Sequence, residues 1–242
     1  MSNFDHSNQN KQTATIPREV RLVLQGKCDS VTLNFQKFPD IKTLKMPEIT
    51  QFCKDAEECK NKMPSSCLLP IIPGAASFTA VNKGRLIVNH TGGILECNLA
   101  LHRFFNCPVI PGSAIKGIAR NAGRFEGDKE RFARVFGGEE KGRSDTAGSV
   151  AFLMAIPENN SWKIVPDVLT SHHGCDTKNP TPVFFPAVET GATFRFMVAP
   201  TARTQTGDLE FAANCLKKAL SENGAGAKTA AGYGWFKIEE KN

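Results

Sequence analysis

The stretch Asn223-Gly-Ala-Gly-Ala-Lys-Thr-Ala-Ala-Gly-Tyr-Gly-Trp-Phe236 places two pairs of glycines around one cation. The pairs are Gly224 with Gly226 and Gly232 with Gly234, and Lys228 lies between them beside Thr229. Glycine accepts a left-handed backbone and lets another chain approach its amides closely. Consecutive free N–H groups in such a turn form a concave site for an anion. The stretch therefore predicts a phosphate-binding loop centred on Lys228, with a plain glycine-rich connector as the alternative.

The flanks of this loop exclude a nucleotide-binding P-loop. That motif reads G-x-x-x-x-G-K-[ST] and runs from a strand into a helix, whereas here Ala227 precedes Lys228. Upstream, residues 208–220 carry apolar side chains at three- and four-residue spacing, which predicts a helix ending near Asn223. Downstream, residues 235–238 form a predicted strand. The helix–loop–strand order points no helix N-terminus at a triphosphate.

Composition restricts the compartment and the class of partner. The 242 residues are 40% hydrophobic, enough for one large domain or two small ones, and the net charge of +6 favours a polyanionic partner. No apolar run approaches a membrane span, and residues 1–14 lack the apolar core of a signal peptide, so we expect a cytoplasmic protein without membrane contact. The eight cysteines include no C-x-x-C pair. The spacing of Cys53, Cys59 and Cys67 fits no common zinc pattern, which predicts reduced thiols and no metal site.

The N-terminal third gives few signals. Residues 1–15 are polar and predict a disordered arm. Alternation predicts a strand over 19–25, and a short helix is expected over 48–60 within an insertion at about 26–70. Two further strands are predicted at 85–90 and 94–102.

A basic helix is predicted after Pro111-Gly112, with Ser113 as its N-cap. Lys116, Arg120 and Arg124 lie at i, i+4 and i+8 on one stripe of this helix. A free helix N-terminus followed by three cations suits a phosphate backbone, while a solvated polar face is the alternative. The helix also contains Gly117 and Gly123, and glycine in a helix interior favours close approach of another backbone.

The rest of the chain completes an alternating pattern. A helix is predicted over 128–136, a buried strand over 148–156 and a strand over 193–198. Between them, residues 157–191 hold five prolines and the pair His172-His173, which predicts a long loop insertion of functional importance. This order predicts an α+β fold, an antiparallel sheet with helices on one face, for which the split β-α-β-β-α-β arrangement is the natural candidate. Such sheets commonly bind single-stranded RNA, although the aromatic signature of an ordinary RNA-recognition motif is absent.

Three segments carry a family resemblance. Val109-Ile-Pro-Gly-Ser-Ala-Ile-Lys-Gly-Ile-Ala-Arg120 resembles the IPGSSLKG-x-x-R motif of the RAMP superfamily of CRISPR-associated proteins, and the Gly224–Gly234 pattern resembles that superfamily's C-terminal glycine-rich loop. Asp167–His173 and Thr181–Phe185 are similar to the mid-region of one branch, the sixth subunits of the Cmr (type III-B) RNA-silencing complexes. The resemblance spans residues 85–238.

This resemblance implies a ferredoxin-like, RRM-derived and Cas7-like domain over residues 16–242, with insertions at about 26–70 and 157–191. It also implies a non-catalytic subunit without a cofactor, which caps the backbone filament at the 3′ end of the guide RNA (crRNA) close to the target RNA. Implied partners are other Cmr subunits, notably a Cas7-like backbone subunit and the small helical subunit. The chain departs from the family at Met154, where relatives often have aspartate, and at Ala114, where serine is frequent.

The resulting hypothesis is a sequence-independent grip on guide-RNA phosphates by Lys228 and the loop amides, flanked by the basic helix. Tyr233 either stacks on a base or packs beneath the loop. The predicted RNA-binding residues are Ser113, Lys116, Arg120, Arg124, His172, His173, Gly224, Gly226, Lys228, Thr229, Gly232, Tyr233 and Gly234.

The alternative function is a metal-independent endoribonuclease of the same superfamily that uses a histidine to process CRISPR repeat RNA. Its candidates are His90, His102, His172 and His173. Such an enzyme needs a general base near the 2′-OH and an acid at the leaving oxygen. No acid–base pair occurs at a fixed spacing, so we expect no enzymatic activity.

Overall fold

A computed structural model describes residues 31–32, 45–61, 72–89, 98–138, 146–170 and 182–239. The predicted N-terminal arm over residues 1–15, the predicted strand over 19–25, and His90, His172 and His173 lie outside these ranges.

Four α-helices and seven strands have described bounds, and residues 31–32 are also helical. The helices are α1 Met46–Asn61, α2 Gly112–Gly123, α3 Lys129–Phe136 and α4 Asp208–Glu222. The strands are β1 Ala76–Asn82, β2 Val150–Phe152, β3 Ile156–Pro157, β4 Ile164–Thr170, β5 Pro182–Val188, β6 Thr193–Pro200 and β7 Phe236–Glu239. The four helices expected over these ranges are confirmed, as are the strands expected near 193–198 and 235–238.

The main sheet has the order β2-β6-β1-β7, with β3 also paired to β6, and its strand pairs are antiparallel. Helix α2 connects β1 to β2, and α4 connects β6 to β7. With α3, β3, β4 and β5 as additional elements, the four strands of the main path and these two helices follow the order of the split β-α-β-β-α-β arrangement. The predicted α+β fold with an antiparallel sheet is confirmed.

One face of the sheet carries an aromatic core under α4. Phe78 and Phe196 stack with their ring centroids 5.4 Å apart, and Phe236 meets Phe196 edge-on at 5.7 Å. Because side chains alternate along a strand, their neighbours Thr79 and Lys237 belong to the opposite face. Helix α4 therefore covers one face only. The chain leaves its C-terminus near the end of β1 and the start of β7.

Helix α2 packs on α4 through Gly123. A Cβ at this position would lie 2.9 Å from the Phe136 ring and 3.2 Å from Cys215 Sγ, so glycine allows three elements to meet. Gly117, in contrast, faces open space. Burial, reinforced by the charge of Glu126, raises the pKa of the Cys215 thiol to about 11, and this cysteine is a protonated core residue.

The expectation of an irregular loop over 157–191 is wrong in its described part. Strands β4 and β5 pair antiparallel from Ile164↔Val188 to Thr170↔Pro182, and residues 171–181 lie outside the description. The sequence did not indicate this hairpin, because proline normally interrupts a sheet. In a two-stranded sheet each strand is an edge strand, so Pro166 and Pro186 face each other without a lost ladder bond.

Helix α1 packs against this hairpin. Lys60 Nζ donates to the Trp162 carbonyl at 2.7 Å and lies 5.4 Å from the centroid of the Trp162 ring. Trp162 is 1% exposed and lies two residues before the start of β4. Residues 46–61 are therefore part of the structured chain, at the side of the hairpin.

Three smaller expectations are corrected. Helix α2 starts at Gly112 with Pro111 as its N-cap, so the exposed Ser113 is already the second residue of the helix and makes no capping hydrogen bond. The strand expected over 148–156 is split into β2 and β3. The strand expected over 85–90 is reduced to a bridge from Leu86 to Val188, outside the main sheet.

No helix in the described ranges is long and apolar enough to cross a membrane.

A buried carboxylate joins the N-terminus of α4 to the rest of the helical layer. Asp208 is fully buried and accepts from Arg134 Nη2 at 2.9 Å, from Ser149 Oγ at 2.7 Å and from the Gln205 N–H at 3.1 Å. Burial alone would raise the pKa of Asp208, but these hydrogen bonds outweigh it and lower the pKa below its usual 3.8. Asp208 therefore stays ionised and holds α3, α4 and the entry to β2 together.

Replacing this carboxylate by Asp208→Asn should destabilise the protein in a pH-dependent way. A depressed folded-state pKa gives stability that is complete above the usual carboxyl pKa and is lost as the pH falls below it, through the lower folded-state pKa. We expect the difference in melting temperature between the wild type and Asp208→Asn to be largest near neutral pH and to shrink in acid. The exposed Asp55 provides the control Asp55→Asn, with little effect at either pH. A pH-independent difference for Asp208→Asn would contradict the ion pair.

Candidate nucleic-acid interface

The glycine-rich loop, residues 223–235, is closed by backbone hydrogen bonds. Within the loop, the Ala225 N–H donates to the Gly234 carbonyl at 2.8 Å. Toward the segment after β1, the Ala227 N–H donates to Ile87 O at 2.8 Å and the Gly234 N–H to Arg85 O at 2.7 Å. The loop is thus fixed on itself and on residues 84–87.

Three of the four glycines serve this internal fit, since a Cβ at Gly224 would lie 2.9 Å from the Gly234 carbonyl oxygen. A Cβ at Gly226 would overlap the Ile87 carbonyl oxygen, and one at Gly234 would overlap the Ala225 carbonyl oxygen. Both residues also have positive φ, +88° and +68°. Gly232 has φ +91° but faces open space. Close approach of the chain to itself, rather than to a ligand, explains Gly226 and Gly234.

Lys228 lies at the outer turn of the loop, in a left-handed conformation with φ 61° and ψ 33°. It is exposed and precedes a single 3-10 turn, Thr229–Ala231. Within the described part of the chain, the N–H groups of Lys228, Thr229 and Ala230 have no hydrogen-bond partner. The loop therefore presents one ammonium group and a short run of free amides, which is chemistry that an anion accepts.

Tyr233 packs beneath the loop. It is 9% exposed, its hydroxyl donates to Asp167 Oδ2 at 2.7 Å, and its ring meets Phe185 edge-on. Burial and the hydrogen bond to Asp167 raise the pKa of Tyr233 to about 12, so the hydroxyl remains a donor. The structure therefore shows Tyr233 in the packed position rather than as an open face for a base.

A charged network that sequence reasoning missed extends from Tyr233. Arg85 Nη1 lies 3.0 Å from Asp167 Oδ1, and Arg85 Nε lies 3.3 Å from Glu189 Oε1. The hydrogen bond to Asp167 is the main cause that raises the pKa of Arg85. Asp167 is in β4 and Glu189 follows β5, so the network ties the loop to the hairpin. No local pattern reveals it, since the partners are 66 to 104 residues apart.

The three cations predicted on one stripe of α2 have different environments. Lys116 and Arg120 are half-buried and Arg124 is exposed. The Arg120 guanidinium lies 6.0 Å from the centroid of the Phe132 ring in α3, a cation–π contact. One of the three predicted cations, Arg120, is thus engaged in packing against α3.

The loop and the start of α2 are linked through the backbone segments between them. Ala227 bonds to Ile87, the Ala100 N–H donates to Val88 O at 2.8 Å, and the Val109 N–H donates to Ala100 O at 2.9 Å. Helix α2 begins three residues after Val109. These steps connect the two predicted RNA-binding elements through adjacent backbone segments, although no hydrogen bond or ion pair joins their side chains within the described ranges.

His102 has a local structural role. Its Nδ1 accepts from the N–H groups of Phe104 and Phe105, each at 3.2 Å, and burial lowers the pKa of His102. The neutral imidazole accepts these two hydrogen bonds at Nδ1 and thereby stabilises the turn that follows His102. Among the described residues, no group of three or more histidine, cysteine or acidic side chains is arranged to hold a metal ion.

The fit of the loop predicts different outcomes for two glycines that share positive φ. Gly232→Ala should cost about 1–2 kcal/mol of unfolding free energy, because only the left-handed backbone is penalised. Gly234→Ala should cost clearly more, because its methyl group also overlaps the Ala225 carbonyl. Urea unfolding of both variants measures the difference. Equal costs would show that the loop is not closed as described.

Comparisons with known proteins agree with this architecture. The family model of the RAMP superfamily matches residues 69–237. The chain is similar to the CRISPR system CMR subunit Cmr6 of Saccharolobus solfataricus, with 26% identity over 152 residues, covering 61% of this chain and 50% of that protein. The chain therefore spans about half the length of this relative.

Among solved structures, a cryo-EM structure of the type III-B Cmr-beta complex bound to cognate target RNA contains a chain with a TM-score of 0.58 and 21% identity. The match covers 87% of this chain and 70% of that one, and it shows a shared fold. A crystal structure of Cmr6 from Pyrococcus furiosus matches with a TM-score of 0.47 and 20% identity, covering 69% of this chain and 98% of that one. The family match extends over more than half of the sequence, from before β1 into β7, and the chain belongs to the RAMP superfamily.

Proposed function

We propose that the chain is a non-catalytic, guide-RNA-binding subunit of a type III-B CRISPR effector complex. The similarity to a Cmr6 protein and membership of the RAMP superfamily support a role as a CRISPR effector subunit. In our proposal it caps the backbone filament at the 3′ end of the guide RNA and contacts a Cas7-like backbone subunit and the small helical subunit.

The observation that carries the proposal is the exposed Lys228 on a loop whose interior is closed. The inner glycines of the loop allow its backbone to pack closely. One ammonium group and free amides remain exposed at its outer turn. A guide strand offers phosphates at regular intervals, and contacts to phosphate position a strand without reading its sequence. We infer that Lys228 and the Thr229 N–H contact the phosphate backbone.

The basic helix extends the same surface. Lys116 lies in the first half of α2, near the segment that is linked to the loop through Ala100 and Ile87. Arg124 is exposed at the other end of the helix. We infer that Lys116, like Lys228, contacts the phosphate backbone. Arg120 instead stabilises the helical layer by packing on Phe132.

Lys228→Ala should weaken RNA binding to the same degree for all sequences. Removing one phosphate contact should reduce the slope of log K against log salt concentration by about 1. Fluorescence anisotropy with labelled single-stranded RNAs of different sequence, at several salt concentrations, measures both quantities. The double variant Lys116→Ala/Lys228→Ala should lose more.

The matched control is Lys54→Ala, which removes an exposed lysine of α1. It changes the net charge by the same amount as Lys228→Ala and should leave the salt slope almost unchanged. Unchanged affinity in the double variant, or equal losses in Lys54→Ala and Lys228→Ala, would count against a phosphate site at the loop.

Purification of the tagged chain from its native host tests the complex. We expect other Cmr subunits and a short RNA to co-purify, with ultraviolet crosslinks from the chain concentrated toward the 3′ end of that RNA. Recovery of a monomer free of nucleic acid would oppose the assembly. Crosslinks concentrated at the 5′ end would oppose the capping role alone.

A further inference from the structure

Trp235 lies on the sheet face opposite α4, at the point where the loop enters β7. The register Val81↔Lys237 and Asn82↔Phe236 places Lys83 opposite Trp235. The Lys83 N–H donates to the Trp235 carbonyl at 2.6 Å, which confirms this pairing. Since Phe236 is in the core, alternation places Trp235 and Lys237 on the other face, together with Lys83.

The indole is held in place by the loop. Trp235 Nε1 donates to the Thr229 carbonyl at 3.1 Å, directly after Lys228. Trp235 itself is half-buried, so part of the residue is accessible to solvent. The contact joins the outer turn of the loop to the sheet face and restricts the rotation of the ring.

Three lysines lie next to Trp235 in the fold: Lys83 opposite it in the register, Lys237 two residues along β7, and Lys228 beside the Thr229 carbonyl that accepts from the indole. Lys83, Lys228 and Lys237 are exposed, and none has a carboxylate partner within the described ranges. Glu239 is the acidic residue on the same face of β7. It lies two residues beyond Lys237, opposite Thr79 and four residues from Trp235. We call the set Lys83, Lys228, Trp235 and Lys237 the Trp235 platform.

We propose that the Trp235 platform binds one unpaired RNA base by stacking on the indole, while the three lysines hold the phosphates on either side. This site rests on the proposed guide-RNA binding and adds a base contact to it. Stacking accepts every base because each base has a π-face, so the contact adds affinity without sequence preference.

The charge of the platform favours RNA over a protein partner. Burying three unpaired lysines in a protein interface would cost their hydration without compensation, and lysine is depleted from such interfaces. A phosphate backbone supplies the compensating charge. An aromatic ring flanked by cations is the arrangement by which single-stranded nucleic acids are commonly held.

The test compares an oligouridine RNA of about 12 nucleotides, within the range that single-stranded sites cover, with an abasic ribose-phosphate strand of the same length. The wild type should bind the oligouridine roughly 10-fold more tightly, because only this strand can stack. Trp235→Leu should remove most of this difference and leave affinity for the abasic strand unchanged. Lys228→Ala should weaken both strands alike.

Fluorescence provides a second readout on the intact chain. The protein has two tryptophans, and Trp162 is 1% exposed, so quenching by a bound base reports on Trp235. Oligouridine should quench the emission, the abasic strand should not, and Trp235→Phe should abolish the quenching while retaining most of the affinity. Trp235→Phe also keeps the test valid if Trp235→Leu folds poorly.

Oligouridine and abasic affinities that agree in the wild type would overturn the stacking site while leaving the phosphate site at Lys228 intact. Quenching that persists in Trp235→Phe would also overturn it. Failure of the wild type to bind either strand would reject the proposed RNA binding together with the platform. Loss of a co-purifying subunit in Trp235→Leu, with RNA affinity unchanged, would assign the surface to a protein partner.

Discussion

At Gly224, Gly226 and Gly234 the backbone of the glycine-rich loop packs so closely against itself and against Ile87 that there is no space for a side chain, and the position of its outer turn depends on this fit. The carbonyls of Ile87 and Arg85 accept from Ala227 and Gly234, so the outer turn projects from a fixed base. The left-handed Lys228 lies at that turn. The backbone of such a turn loses little conformational freedom on binding, which favours contact with a strand that offers only repeated phosphates.

The same fit couples the loop to the β4–β5 hairpin. Tyr233 is carried by the second glycine pair, and its hydroxyl reaches Asp167 in β4. Arg85, whose carbonyl anchors Gly234, also binds Asp167 and Glu189. Displacement of the loop would therefore leave Asp167 without the hydrogen bond from Tyr233 and the Arg85 carbonyl without its donor, a costly state for partly buried polar groups. The hairpin and the glycine-rich loop behave as one structural unit.

The elements that sequence predicted well are those encoded by local spacing. Helix α4 and the stop at Asn223 follow from apolar residues three and four apart and a glycine after the last turn. The hairpin was missed because its prolines oppose strand formation in most sheets and are tolerated only in this two-stranded one. The Trp235 platform depends on the register between β1 and β7, strands more than 150 residues apart, and the spacing of residues within either strand does not define it. The purpose of Gly226 and Gly234 could likewise be read only once the Ile87 and Ala225 carbonyls were in place.

Arginine and lysine divide the positive charge around this end of the sheet. Arg85 and Arg195 pair with carboxylates, Arg85 through two of them, because a planar guanidinium satisfies several acceptors in fixed directions. Lys83, Lys228 and Lys237 stay exposed, and an ammonium group on a flexible stem is a strongly hydrated point charge. Guanidinium groups thus neutralise the acidic residues that would otherwise repel a polyanion, while the ammonium groups remain free to meet it. A surface charged in this way attracts phosphate without specifying a base, which is the property that a subunit needs if it must hold guide strands of any sequence.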